Sequence, residues 1–332
     1  MSAGPEEIAR AVAQLREGRL VAFPTETVYG LGALATDERA VGRVFAMKGR
    51  PPGNPLIVHV SGEEMARTLT PRWTERASRL ANAFWPGPLT IVVERGQRVP
   101  SVVSGGGPTV AVRCPAHPLT LALIEMVGEG IVGPSANRSG FLSPTSAAHV
   151  EDEFREEIER GDLMVLDGGA CRAGIESTVV SVVRESPEVL RPGVIGASEV
   201  ARALGCDVRE RRGSDDPAAG PMASPGRMES HYAPRTRAVL LPREEIGRAI
   251  EESGVPIALV AIAGPGRPRV HTHIEMPGDA IGYASSLYRA LREADASGVE
   301  LIIIERPPTG GTDAEIWAAI HDRLARATAP RV

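Results

Sequence analysis

Lysine is almost missing from this 332-residue chain: Lys48 is the only one, and the other 36 of its 37 basic residues are arginine. Cysteine is scarce too. Cys114, Cys171 and Cys206 stand far apart, which excludes a CxxC metal site and a disulfide framework. His271 and His273, split by Thr272, are too isolated to form a zinc site. Aromatic residues make up 4% and the net charge is −5, which argues against a strongly basic, base-stacking nucleic-acid binder and leaves room for a local basic groove. No apolar run approaches the roughly 20 residues that span a bilayer. The first residues lack a basic segment ahead of an apolar core, so a cytoplasmic protein without a membrane role is expected.

What is present is the composition of a soluble globular protein, 42% hydrophobic and 24% charged, long enough for two domains with a core each. Pro5 starts a helical pattern that ends at Gly18. Leu20 to Phe23 reads as a strand that leads into Pro24-Thr25-Glu26-Thr27. Asp37 is a candidate N-cap for a helix running to Met47, and Leu56 to Val60 reads as a buried strand. Leu89 to Glu94, Thr109 to Arg113, Ile131-Val132, Leu163 to Leu166, Thr178 to Val183 and Val189 to Arg191 are further strands. His149 to Arg160 reads as one charged, solvated helix. Apolar periodicity vanishes from Asp207 to Arg235, a stretch longer than an ordinary loop. After it, strand and helix patterns alternate as in a small three-layer α/β domain with a mostly parallel sheet. The expected architecture is α/β: residues 1–206 as a first domain, 207–236 as a linker and 237–332 as a smaller domain, to which a family resemblance carried by the motifs below adds a twisted mixed sheet and the catalytic role for the first, an active-site lid for the linker and a Rossmann-like form for the last.

Two partial motifs fail on context. GLGALA at residues 30–35 fits a dinucleotide fingerprint, yet a fresh helix start follows at Thr36-Asp37 and position 53 lacks the acid. GPSAN at residues 133–137 lacks the closing glycine of a nucleophile elbow, and no P-loop pattern occurs. The remaining polar groups form two loops after short strands: Lys48, Arg50 and Asn54 on one, Ser135, Asn137 and Ser143 on the other. Cations beside hydroxyl and amide donors suit a polyanion such as triphosphate. Ser135 and Asn137 would equally serve to hold their loop as Asx or Ser turns.

PTETVYGLG, KGRPPGNPLIVHV, TVAVRCP, GPSANRSG, GIESTVV and LRPG occur in this order, followed by SPG and HYAP in the linker. In these the chain resembles the YrdC/Sua5 family of threonylcarbamoyl-AMP synthases in its longer, two-domain form. The resemblance implies conversion of L-threonine, bicarbonate and ATP to threonylcarbamoyl-adenylate and pyrophosphate, for the t6A modification at position 37 of ANN-decoding tRNAs. It implies threonine binding by Thr27, His59, Arg113, Gly133 and Ser177. ATP binding would fall to Arg50, Asn54, Thr109, Ser135, Ser143, Arg191 and Tyr232, with Lys48, Arg50, Ser135 and Asn137 as the catalytic set. Mg2+ is expected to arrive mainly through the nucleotide, and a downstream tRNA threonylcarbamoyltransferase is the expected partner. One departure is the linker stretch Arg227-Met228-Glu229-Ser230, where related proteins tend to be basic.

Two other readings remain. A carbamoyl-adenylate-forming enzyme of the hydrogenase-maturation type would share this fold, but its cysteine pairs are missing here. A non-enzymatic module binding tRNA or double-stranded RNA would weaken steeply with salt.

Overall fold

A computed structural model describes residues 4–210, 232–264 and 268–330. The linker motif expected at Ser224-Pro225-Gly226 and His231, with the stretch at 227–230, lies outside the described residues. No helix among the described residues is long and apolar enough to cross a membrane.

Helix α1 (Pro5–Arg16) buries Ala11, Val12 and Leu15, and β1 (Leu20–Phe23) follows. GLGALA is not a loop but forms β2 (Gly30–Leu34), antiparallel to β1. Its glycines lie against the Phe23 ring, so their role is close strand packing and not a phosphate cradle. Asp37 caps α2 (Glu38–Lys48) by accepting from the Arg39 and Ala40 amides, and Gly49 ends it in the left-handed region. These two caps fix Lys48 as the last helical residue.

Next come β3 (Ile57–His59), α3 (Glu63–Arg67), α4 (Glu75–Phe84), β4 (Leu89–Glu94), β5 (Thr109–Arg113), α5 (Pro118–Val127) and β6 (Ile131–Val132). The helix expected from His149 to Arg160 is instead two, α6 (Ala147–Glu153) and α7 (Arg155–Glu159). Phe154 interrupts them because its side chain turns fully into the core. Then follow β7 (Leu163–Val165), β8 (Thr178–Ser181), β9 (Glu188–Arg191), α8 (Ala197–Leu204) and β10 (Arg209–Glu210). The C-terminal unit comprises β11 (Arg237–Leu241), α9 (Arg243–Ser253), β12 (Ile257–Ile262), β13 (Thr272–Met276), α10 (Ala280–Ala296), β14 (Leu301–Glu305) and α11 (Ala314–Ala327). Strand β13 is additional to the expected elements. Only Ile274 and Met276 of it are buried, so its apolar signal is short.

Ten strands form one mixed sheet in the order β10-β9-β8-β4-β5-β3-β6-β2-β1-β7. The period of two along each strand sorts side chains onto two faces. One face, with Val58, Ile91, Val112, Val132 and Val180, packs under α2, α4, α6 and α8 as the main core. The other face divides. Toward β1 it is covered by α1 and α5, which bury Val21, Phe23 and Ile131. Toward β9 it carries Ile57, Val92, Ala111, Val179 and Leu190, a cluster drawn from strands alone. The cleft opens on this second face.

The smaller sheet, β11-β14-β12-β13, is parallel throughout. Helix α9 packs on one face of it, and α10 and α11 pack on the other. The second of these layers does not stop at the domain edge. Val28, Leu142, Ile175 and Tyr232 join Tyr283, Leu287, Tyr288 and Trp317 in one apolar cluster. The two units therefore share a core beside the cleft.

Candidate active site

The cleft encloses about 530 Å³, open solvent at its mouth included. Its first end starts where β1 releases the chain. Thr25 Oγ1 accepts the Thr27 and Val28 amides at 3.1 Å each and donates to the Val28 carbonyl at 2.6 Å, a tight hydroxyl turn. The turn aims Thr27 Oγ1 at Arg113, whose Nη1 donates to it at 2.9 Å. Arg113 ends β5, is 3% exposed, donates through Nε to the Gly87 carbonyl at 3.2 Å, and pairs with Glu26 at 2.6 Å. An arginine fork held from three sides keeps its orientation and still has donors on its terminal nitrogens for a carboxylate.

His59 stands next to it on β3, edge-on to the Phe23 ring at 5.3 Å between centroids. Burial, then the Arg113 charge, push its pKa well below the usual value, so the ring is neutral at pH 7. Its Nδ1 is buried without a hydrogen-bond partner. Gly133 faces this ring. A Cβ there would stand 2.8 Å from His59 Nδ1 and 2.6 Å from Phe23 Cζ, so only glycine leaves the space free.

The second end is more cationic. Arg50 bends back onto its own loop: Nε donates to the Asn54 carbonyl at 3.0 Å, and Nη2 donates to Asn54 Oδ1 and the Pro55 carbonyl at 2.7 Å each. Burial lowers its pKa to about 10, which leaves it charged at pH 7. Arg191, at the end of β9, donates from Nε and Nη2 to the Ser177 carbonyl and from Nη2 to Ser177 Oγ at 3.1 Å. Ser177 Oγ also shares a hydrogen bond with Thr90 Oγ1 at 2.8 Å. Tyr232 closes this end. It is 1% exposed with φ at +61°, a conformation costly for a bulky residue and one that collects at functional sites.

Of the residues expected to bind, Thr27, Arg50, His59, Arg113, Gly133, Ser135, Ser177, Arg191 and Tyr232 all line the cleft. Lys48 does not. Its Nζ lies beneath the second loop and donates to the carbonyls of Ser135 and Asn137, both at 2.5 Å. Burial and the neighbouring Arg50 push its pKa well below the usual lysine value. Asn137 likewise holds its own loop, with Nδ2 donating to the carbonyls of Arg138 and Phe141. Asn54 braces Arg50. Ser143 Oγ donates to Glu176 at 2.6 Å. Thr109 shares a strand face with Arg113 but sits at the other end of β5, roughly 13 Å away at strand rise. Glu176 and Thr25 line the cleft, and Glu26 supports it through Arg113, without standing out in the sequence. A carboxylate inside the apolar GIESTVV run is the available signal for Glu176, since buried acids are rare unless paired. Among the described residues no group of three His, Cys, Asp or Glu could hold a metal ion.

Comparison with known proteins gives a consistent result. The family described as "Telomere recombination" (Sua5, YciO, YrdC) matches residues 13–193, and the "Threonylcarbamoyl-AMP synthase, C-terminal domain" family matches residues 195–329. Threonylcarbamoyl-AMP synthase of Pyrococcus abyssi is 40% identical over 98% of this chain and 95% of its own length. The Bacillus subtilis protein of the same name is 37% identical over 100% and 96%. The crystal structure of P. abyssi Sua5 complexed with L-threonine superimposes with a TM-score of 0.89 at 38% identity, covering 99% of this chain and 96% of that one.

Proposed function

Because this chain belongs to the Sua5/YrdC family, with both of its domains matched in full-length relatives, we propose that it is a threonylcarbamoyl-AMP synthase. L-Threonine and ATP are the substrates this reading brings to the cleft, with bicarbonate as the carbon source. The observation that carries it is one cleft with the charge-balanced Arg113–Glu26 pair at one end and Arg50 with Arg191 at the other.

In the proposed reaction the threonine amine captures carbon dioxide from bicarbonate, with loss of water, to give an N-carboxylate. That carboxylate attacks the α-phosphorus of ATP in line, and the bond to the β-phosphate oxygen breaks to release pyrophosphate. The protein forms no covalent bond, so its contribution is position and charge. Arg113 holds the α-carboxylate, with Thr27, His59 and the bare backbone at Gly133 around the rest of threonine, and Ser177, bonded to Arg191, meets it where the two ends of the cleft join. Arg50 and Arg191 offset the phosphate charge, and the Ser135 to Ser143 loop frames the nucleotide. Lys48, expected to face the phosphates, acts instead by holding that loop through two carbonyls. Glu176 lines the cleft and Glu26 lies behind Arg113, but each faces an arginine, which fits Mg2+ entering as part of the nucleotide and not in a protein cage. Between catalytic residues 1–206 and the C-terminal unit the linker is read at 207–236; of it the structure describes 207–210 and 232–236, and Tyr232 closes the cleft there. The product passes to a tRNA threonylcarbamoyltransferase.

Pyrophosphate release from ATP tests the proposal, measured with each of L-threonine and bicarbonate omitted in turn and with serine in place of threonine. Release that needs both supports the synthase. Release that needs carbamoyl phosphate instead, or none with a folded protein, overturns it.

A further inference from the structure

Glu176 is 6% exposed and lines the cleft next to Ile175, which belongs to the apolar cluster shared by the two units. Burial alone would raise its pKa, but the charges of Arg323 and Arg191 outweigh it and hold the carboxyl below the usual range. Its partners come from both units. Ser143 Oγ donates from the second loop at 2.6 Å, Tyr288 OH from α10 at 2.9 Å, and Arg323 Nε from α11 at 2.8 Å. Arg323 is fully buried, and its Nη2 also donates to the Pro192 carbonyl at 3.0 Å, one residue past Arg191. Its guanidinium carbon lies 5.5 Å from the centroid of the Tyr232 ring, and the Tyr232 and Tyr288 rings are 5.8 Å apart. One arginine of the C-terminal unit thus reaches three of the groups at the nucleotide end: Ser143 through Glu176, the strand end at Arg191, and Tyr232. The bonds that hold Arg113, to Thr27, Gly87 and Glu26, lie wholly within the N-terminal unit.

We propose that Arg323, supported by Tyr288, is a positioning residue for the nucleotide, which makes the C-terminal unit a working wall of the ATP subsite. The proposal rests on the synthase reading. Arginine suits the place because its fork faces Glu176 and the Pro192 carbonyl at once while its flat face lies near Tyr232. A lysine point charge would meet only the first of these. A buried ion pair adds little net stability, because desolvation offsets its attraction. What this one supplies is a fixed relation between three elements that lie far apart in sequence.

The test uses the full-length protein as wild type, Arg323→Lys and Tyr288→Phe. Calorimetry measures binding of a non-hydrolysable ATP analogue and, separately, of L-threonine, and pyrophosphate release gives both KM values. Arg323→Lys keeps a charge toward Glu176 and loses the fork, whereas Tyr288→Phe keeps the ring and loses one donor. The analogue Kd and the KM for ATP are expected to rise about tenfold in Arg323→Lys and about threefold in Tyr288→Phe, with threonine values within about twofold of wild type. Tyr288→Phe carries the test alone where Arg323→Lys does not fold. Equal weakening of both ligands, or no change in either, overturns the proposal. A wild type that binds neither ligand overturns the synthase reading instead, so the two failures are distinct.

Discussion

The end of the cleft around Arg113 and the end around Arg191 both set an arginine behind a hydroxyl, yet they are assembled in different ways. At the first, the turn after β1 and the end of β5 meet inside one sheet, and every bond to Arg113 is made by the N-terminal unit. At the second, Tyr232 belongs to the linker and Arg323 to the last helix, so the wall exists only when the two units are docked. The first is rigid by construction. The second depends on docking, as suits an end that on the proposed reading admits a nucleotide and releases pyrophosphate.

The widest gap between the ends is expected from Arg113→Met. It removes the carboxylate fork and leaves Glu26 with the Ala116 amide but no cation, so threonine-dependent pyrophosphate release should fall about 10³-fold, most of it in the KM for threonine. Lys48→Met should be next. It frees the carbonyls of Ser135 and Asn137 and should lower kcat/KM for ATP about a hundredfold in steady-state assays, with threonine binding by calorimetry unchanged. Unchanged ATP kinetics would return Lys48 to the status of a buried anchor without consequence. Gly133→Ala narrows the first end only. Its Cβ displaces His59 and Phe23, and the KM for threonine should rise about tenfold while that for ATP holds.

The smallest expected effect is on stability against pH. His149 Nδ1 accepts the Thr145 amide just past the loop at 135–143, and burial, then Arg292, lower its pKa from 6.5 to about 4. His59 is shifted the same way. A histidine whose folded pKa lies below its unfolded one gives stability that is complete above about 6.5 and is lost as pH falls from there toward 4, because the unfolded chain takes up the proton first. The urea midpoint should therefore drop between pH 7 and pH 4.5, and His149→Gln should make that drop shallower. An identical slope in the variant would remove His149 from the account.

Much of the first end is legible in the sequence, because its residues fall within short motifs beside strands whose apolar runs are plain. Thr27, His59, Arg113 and Gly133 each sit within four residues of a recognisable strand or at its end. The second end is legible only in part. Arg50 and Arg191 carry local signals, but the bond from Arg323 to Glu176 joins residues 147 apart, and periodicity holds no trace of it. Lys48 stands out in the composition, but the direction it faces does not. The α2 caps place its Nζ under the loop, a matter of three-dimensional register that composition does not encode. Strand β2 escapes a reading of periodicity because GLGALA has little strand propensity of its own and pairs only because β1 and β6 flank it.

The central claim, that threonine binds at the Arg113 end and ATP at the Arg50 and Arg191 end, is tested most directly by titrating L-threonine and a non-hydrolysable ATP analogue separately into Arg113→Met and Arg50→Met. The account predicts loss of threonine binding with the analogue retained in the first variant, and the reverse in the second. Loss of both ligands in either folded variant, or of the analogue alone in Arg113→Met, would contradict it.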